Sequence, residues 1–237
     1  MNPLTGQLLD LVEKVRSKFD ELANVVTGFL DRVPWGLGWL ADQISHAWGF
    51  LTARIHEFWD ACDRILGNLG STEAIGAAST AWSAAVGGPV SAEAGNADHG
   101  ILESDEHWTG TAAEAYRART ELQRSALLAV ESTYADGAIA ALDTVRGGLT
   151  MFYVGLITAL GALAAGIITA LVTSSTVFGI PAGIFVAAGA VLLAEGAFYT
   201  AGILLRSDCE TARTNLLARY HDSSAFPGGS WPGGAVV

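Results

Sequence analysis

Charge is absent from one long stretch of this 237-residue sequence: between Gly147 and Ala194 there is no Asp, Glu, Lys, Arg or His. That absence excludes acid, base and metal-ligand chemistry from a fifth of the chain, and it excludes an ordinary solvated surface there. A helix crosses a bilayer core with about 20 apolar residues, and Leu149 to Val172 and Ala182 to Leu205 each reach that length. Between them Thr173 to Pro181 carries the Ser, Gly and Pro of a turn. The expectation is an apolar, transmembrane-like helical hairpin spanning residues 147–205.

Basic residues are also scarce, 13 against 24 acids for a net charge of −11. The imbalance is greatest from Ser71 to Arg146, with 11 acids and 4 bases. Phosphate binding needs clustered Lys and Arg, so nucleic acid is excluded as a partner. Only Cys62 and Cys209 represent cysteine; their spacing does not say whether they meet in a disulfide, and two small buried apolar side chains are the favoured reading. With 6 prolines and little β-branched alternation outside the hairpin, the chain reads as all-α.

Catalytic signatures are missing too. There is no strained nucleophile turn, glycine-rich phosphate loop or HExxH motif, so the reading is of a non-enzyme with no cofactor and no metal. His99, Glu103 and His107 have the i, i+4, i+8 spacing of ligands on a helix, but the acidic stretch from Val90 to His107 reads as a solvated loop. The first residues lack the basic and apolar regions of a secretory signal, so export is expected to use another route.

What is present is helical periodicity. Leu8, Val12, Val15, Phe19, Leu22, Val26 and Phe29 alternate four and three apart, which predicts an amphipathic helix from Leu4 to Leu30. After a turn at Val33 to Gly36, a second stripe runs Leu37, Ala41, Ile44, Trp48, Leu51, Ile55, Phe58, Cys62, Ile65 and Leu69. Long stripes of this kind suit helices packed in a coiled-coil manner. The two helices are expected to pair antiparallel within residues 1–70, with Trp48, Leu51, Ile55 and Phe58 supplying assembly faces for another helix. A shorter helix is expected from Thr72 to Val86, ended by Gly87-Gly88-Pro89. Thr111 and Glu114 read as a capping box that opens a long helix running into the hairpin, with Tyr116, Leu127, Val130, Tyr134, Ala138, Ala141 and Val145 on its apolar face. A polar helix follows from Arg206 to His221. The Pro- and Gly-rich end, residues 226–237, reads as a flexible tail. The architecture is therefore an elongated helical bundle with an apolar hairpin near its end.

Trp108-Thr109-Gly110, followed by Thr111, Ala112, Ala113, Glu114, Ala115 and Tyr116, lies between a shorter helix and a long one. This resembles the WxG turn of the WXG superfamily, helical-hairpin proteins exported by type VII (ESX) secretion systems in actinobacteria and related bacteria. Glycine permits the turn, and the Trp ring can plug the gap between helix ends. The combination of a W-x-G region over residues 71–146 with a long apolar stretch, Trp-rich segments and a Gly-rich end is similar to the ESX secretion-associated proteins of the EspA and EspE type. The resemblance implies a secreted, non-enzymatic helical protein with a co-secreted helical partner or copies of itself, served by secretion machinery or a chaperone. The Y-x-x-x-D/E export signal of type VII substrates is missing, since no tyrosine here has an acid four residues on.

Three details bear on the hairpin. Gly161 and Ala165, Ala162 and Gly166, and Gly179 and Gly183 are small pairs four apart that permit close helix contact. Glu195 is the one ionisable group within the apolar spans, placed for an ion-related role, for an interface, or for contact with another helix. Arg146 and Arg206 flank the outer ends, which for an inserted hairpin puts both termini on the cytoplasmic side. A secreted assembly protein able to touch a membrane, a two-span envelope component and a helical pore former all fit these features.

Overall fold

The computed structural model describes residues 3–33, 36–67, 70–101 and 107–233, and every element among them is helical. In order these are α1 (Pro3–Leu30), α2 (Gly38–Leu66), α3 (Thr72–Trp82), a π-helical turn (Ser83–Gly87), α4 (Gly88–Asn96), a short 3-10 turn (His99–Ile101) and α5 (Thr111–Ala129). A second π-helical turn (Val130–Ala135), α6 (Asp136–Thr173) and α7 (Ile180–Tyr220) follow, then a 3-10 turn at Pro227–Gly229. The expected all-α bundle with an apolar helical hairpin near its end is what the chain forms. The four stretches read from sequence combine in pairs. One unit holds residues 1–70 with 149–205, and the other holds 71–148 with 206–237.

In the first unit the stripe of α1 and that of α2 through Cys62 turn inward as their spacing requires, while the Ile65 side chain and Leu69 lie outside what the structure describes. Leu8, Val15, Leu22 and Val26 on α1, and Leu40, Ile44, Leu51, Ile55, Phe58 and Cys62 on α2, are buried. Phe19 stacks on Trp48 with ring centroids 5.3 Å apart, and the Arg16 guanidinium lies 5.0 Å above the Trp59 ring. These contacts join early α1 positions to later α2 positions, the expected antiparallel pairing. The hairpin half adds Phe152, Leu156, Leu160, Leu163, Ile167, Ile184, Val191 and Phe198 to the same core. Phe198 meets Phe58 at 6.1 Å and Phe152 at 6.0 Å.

Glycines set how closely α6 and α7 run in this unit. A Cβ added at Gly155 would lie 3.0 Å from the Ala201 Cβ, and one at Gly166 would collide with Ala190. The connecting turn is tight. Gly179 donates its N–H to the Thr176 carbonyl at 2.9 Å, and a side chain there would strike the Thr173 carbonyl.

In the second unit α3 and α4 form one arm, and α5 with the start of α6 forms the other. Gly87 faces Ala135, Gly76 lies against the Arg146 guanidinium, and Asp98 pairs with Arg124 at 4.0 Å, so the arms run antiparallel in constant register. The first arm does not stop at Gly87-Gly88-Pro89. Pro89 has no N–H to give and its ring crowds the preceding turn, and the chain answers by widening to a π turn in which Gly88 donates to the Ser83 carbonyl. The helix then continues to Asn96. The final part of α7 lies along α6, where a Cβ at Gly137 would meet Arg219 Cδ at 2.6 Å and one at Gly148 would meet Asp208 Cβ at 2.9 Å.

Candidate functional site

The WxG segment opens α5, though not through the expected capping box. Gly110 is the N-cap at φ +105°, ψ −180°, with no side-chain capping bond, a conformation that only glycine takes without strain. Its carbonyl already accepts the Glu114 N–H at 3.1 Å. The helix begins at Thr111, as the sequence predicts, but with Gly110 rather than Thr111 as its cap, and both Thr111 and Glu114 are exposed. Trp108 does not plug a gap between helix ends. It is 39% exposed, its ring lies 5.5 Å from Tyr116, and its carbonyl accepts from Arg117 Nη2 at 3.0 Å. Of the apolar face expected on α5 and α6, Tyr116, Leu127, Val130, Tyr134, Ala138, Ala141 and Val145 are half-buried, while the buried positions go to Ala113, Thr120, Ala126 and Ala135.

Sequence reasoning missed the pair of π turns. They lie opposite one another on the two arms, with Gly87 and Ala135 in contact. A π turn displaces carbonyls from the helical ladder, and here Arg219 Nη1 donates to the Ser132 carbonyl at 3.0 Å while Tyr134 Oη donates to the Asp222 carbonyl at 3.1 Å. Tyr134 also packs on Phe226, which packs on Trp231 at 5.9 Å. Through residue 233 the segment read as a flexible tail therefore holds a turn and ring contacts. Beside Arg219 is a cavity of about 370 Å³ lined by Gly137, Ala140, Ala141, Thr144, Ala212 and Asn215 among others. Arg219 is its one ionisable lining group, so it offers no acid–base pair.

In the first unit the residues expected to serve as assembly faces are spent internally. Leu51, Ile55 and Phe58 are at most 1% exposed, and half-buried Trp48 is stacked on Phe19. Periodicity had identified the face correctly but not what covers it, which is the chain's own hairpin. The small pairs divide likewise. Gly166 and Gly183 are close-packed positions and Gly179 belongs to the turn, whereas Gly161 has open space over its Cα and Ala165 is exposed.

What remains open is the hairpin's other side. Met151, Val154, Ile168 and Val172 on α6, and Phe185, Val186, Leu192, Leu193, Tyr199, Ile203 and Leu204 on α7, are exposed, as is Phe178 in the turn. A soluble monomer's largest apolar patch is ordinarily about 300–600 Å². Glu195 does not join this side. It is half-buried, with burial pushing its carboxyl up from the usual range, Arg54 of α2 opposing that shift and Glu57 adding to it. Of the readings left open for it, contact with another helix is the one its neighbours match.

Cys62 and Cys209 are free thiols, the first buried and the second exposed. Burial, aided by Asp63, pushes the Cys62 thiol up to about 12, which keeps it protonated and inert. Among the described residues no three His, Cys, Asp or Glu side chains gather as metal ligands, and Glu103 of the spaced triplet lies outside those residues. No protein-family model, curated protein or solved structure matches the chain.

Proposed function

We propose that the chain is a non-enzymatic, exported helical protein of the type VII secretion-associated class, working by assembly with its own copies or with a co-secreted helical partner. One observation carries the export half of this reading. The Trp108-Thr109-Gly110 turn opens the longer arm of a two-arm helical hairpin, with Gly110 in a conformation reserved for glycine. The assembly half rests on the uncovered apolar side of the α6–α7 hairpin.

Both helices are long and apolar enough to cross a membrane, which supports membrane contact. Crossing with this fold intact would carry the exposed Asp10, Glu13, Lys14 and Asp20 of α1 and the exposed Asp60 and Asp63 of α2 into hydrocarbon, at several kcal/mol per charge. A permanently inserted two-span component would therefore have to part with α1 and α2. A second reading, a hairpin that leaves its bundle to enter a membrane, is favoured by Phe178, 74% exposed in a turn without charges.

The test is fractionation of the native organism with and without an active type VII system. Recovery from the medium only when the system works is the expected result. Exclusive recovery in the inner membrane, resistant to carbonate, would sink the proposal, and dye release from liposomes would move it to the second reading.

A further inference from the structure

The geometry points to a second copy of this chain as the occupant of the uncovered side of α7, forming a two-fold dimer through Phe185, Gly189, Leu193, Gly196, Tyr199 and Ile203. This deepens the assembly half of the proposed function and is independent of export.

Three observations choose this occupant. The first is spacing. Phe185, Leu192 and Tyr199 recur every seven residues, as do Val186 and Leu193, and all five are exposed. Gly189 and Gly196, also seven apart, lie between them with nothing within 4 Å of an added Cβ. A heptad of large side chains with gaps between them is what a facing helix requires, whereas lipid chains need neither repeat nor gap. Glycine inside a helix costs about 1 kcal/mol relative to alanine. At Gly166 that cost is offset by the close approach of α7, but at Gly189 and Gly196 nothing in the chain itself offsets it.

The second is area. Phe185 and Tyr199 leave two-thirds or more of their surface open, on the order of 300 Å² for rings of this size. Leu193, Ile203 and Leu204 are each more than half open, and with the partly exposed Val186 and Leu192 they bring the side near the ~800 Å² that each partner of a standard interface buries. The third is charge. The face carries no Asp, Glu, Lys, Arg or His, so two copies can meet there without a charge on either side. Anionic lipid attracts faces lined by Lys and Arg, and this face has neither. A two-fold pairing centred near Leu193 brings the glycines of both copies together and lets the two backbones approach.

Sedimentation equilibrium of the purified full chain tests this. The wild type is expected at twice its 24.6 kDa chain mass. Leu193→Glu, at a side chain 74% exposed, and Gly196→Leu, in open space, are each expected at the single-chain mass with unchanged helical circular dichroism. Leu9→Glu, at an exposed apolar residue on α1, is expected to stay paired. A monomeric wild type, or pairs that survive both α7 substitutions, would overturn the proposal. So would flotation of the wild type with phosphatidylcholine vesicles that Leu193→Glu abolishes, because lipid would then be the occupant. A failure here leaves export untouched, and a failure of export leaves the pairing standing.

Discussion

The two units are held together by different chemistry although both are helical. The first buries Leu8, Leu22, Ile44, Leu51, Ile55, Phe58, Phe152, Leu156, Leu160 and Leu163, large side chains that lose nearly all their exposure. In the second the buried positions go to Ala94, Ala113, Ala126, Ala135 and Ala212, with Thr72, Ser79 and Thr120 among them. Burying a large aliphatic or aromatic side chain contributes about 1.5–3 kcal/mol, and an alanine methyl only a fraction of that. The second unit must draw more on close backbone approach and on polar links such as Arg219 to Ser132. Local opening follows contact density, so the first unit should be the more resistant of the two.

Removing a large side chain from the first unit gives the greatest expected effect. Phe58 is 1% exposed and touches the rings of Trp59 and Phe198. Phe58→Ala should cost about 3–5 kcal/mol, read from chemical denaturation, with the greatest loss of amide protection in α2 and residues 180–205. If α3 to α5 lose protection first, the units do not differ as described.

Overpacking probes the second unit. Ala135 is fully buried, with its Cβ 3.9 Å from where one would stand on Gly87. Ala135→Leu adds volume where the two π turns meet and should cost about 1–3 kcal/mol, with amide exchange rising in residues 83–96 and 126–137. A neutral outcome would mean that this core is loose rather than close-packed.

How much of this was legible follows from the same contrast. In α1 and α2 large apolar residues recur at helical spacing, so Leu8 to Val26 and Ile44 to Cys62 could be read as buried. The stripe could not say whether Phe58 meets a partner or Phe198, because period records a face and not its cover. Among small residues the signal fades. Ala113 and Ala126 are buried while Ala112 and Ala115 are exposed, and composition does not distinguish them. Gly87-Gly88-Pro89 carried a stop signal that the π turn overrode, and Gly110 took a cap assigned to Thr111. The register of α7 against α6 was written in Gly137, Gly148, Gly155 and Gly166, residues whose local meaning is only weak helix propensity.

Arg219 offers a smaller and more local test. Its guanidinium reaches the Ser132 carbonyl from an exposed side chain, and its stem passes over Gly137. Arg219→Met keeps most of the stem and loses the bond, so about 1 kcal/mol is expected, with faster exchange confined to residues 130–137. Gly137→Ala should reproduce that pattern by displacing the Arg219 stem. Matching maps would assign the link to this one contact, and an effect spread through α5 would not.

The smallest effect belongs to Glu195, where a polar group meets the core of the first unit. Burial raises its carboxyl above the ordinary value of 4.5, against the pull of Arg54 and with the push of Glu57. A raised carboxyl binds its proton more tightly in the folded chain, so its contribution to stability is full below the unfolded value. That contribution is lost as pH rises through the folded value, and at neutral pH the charged form is a modest burden that partial exposure limits. Glu195→Gln should therefore flatten stability against pH above 4.5 and leave the protein at least as stable at pH 7. Denaturant midpoints of both proteins over that interval measure it. If the substitution instead weakens the first unit at pH 7, then Arg54 depends on Glu195 as an ion partner, and its charge helps to hold α2 against the hairpin.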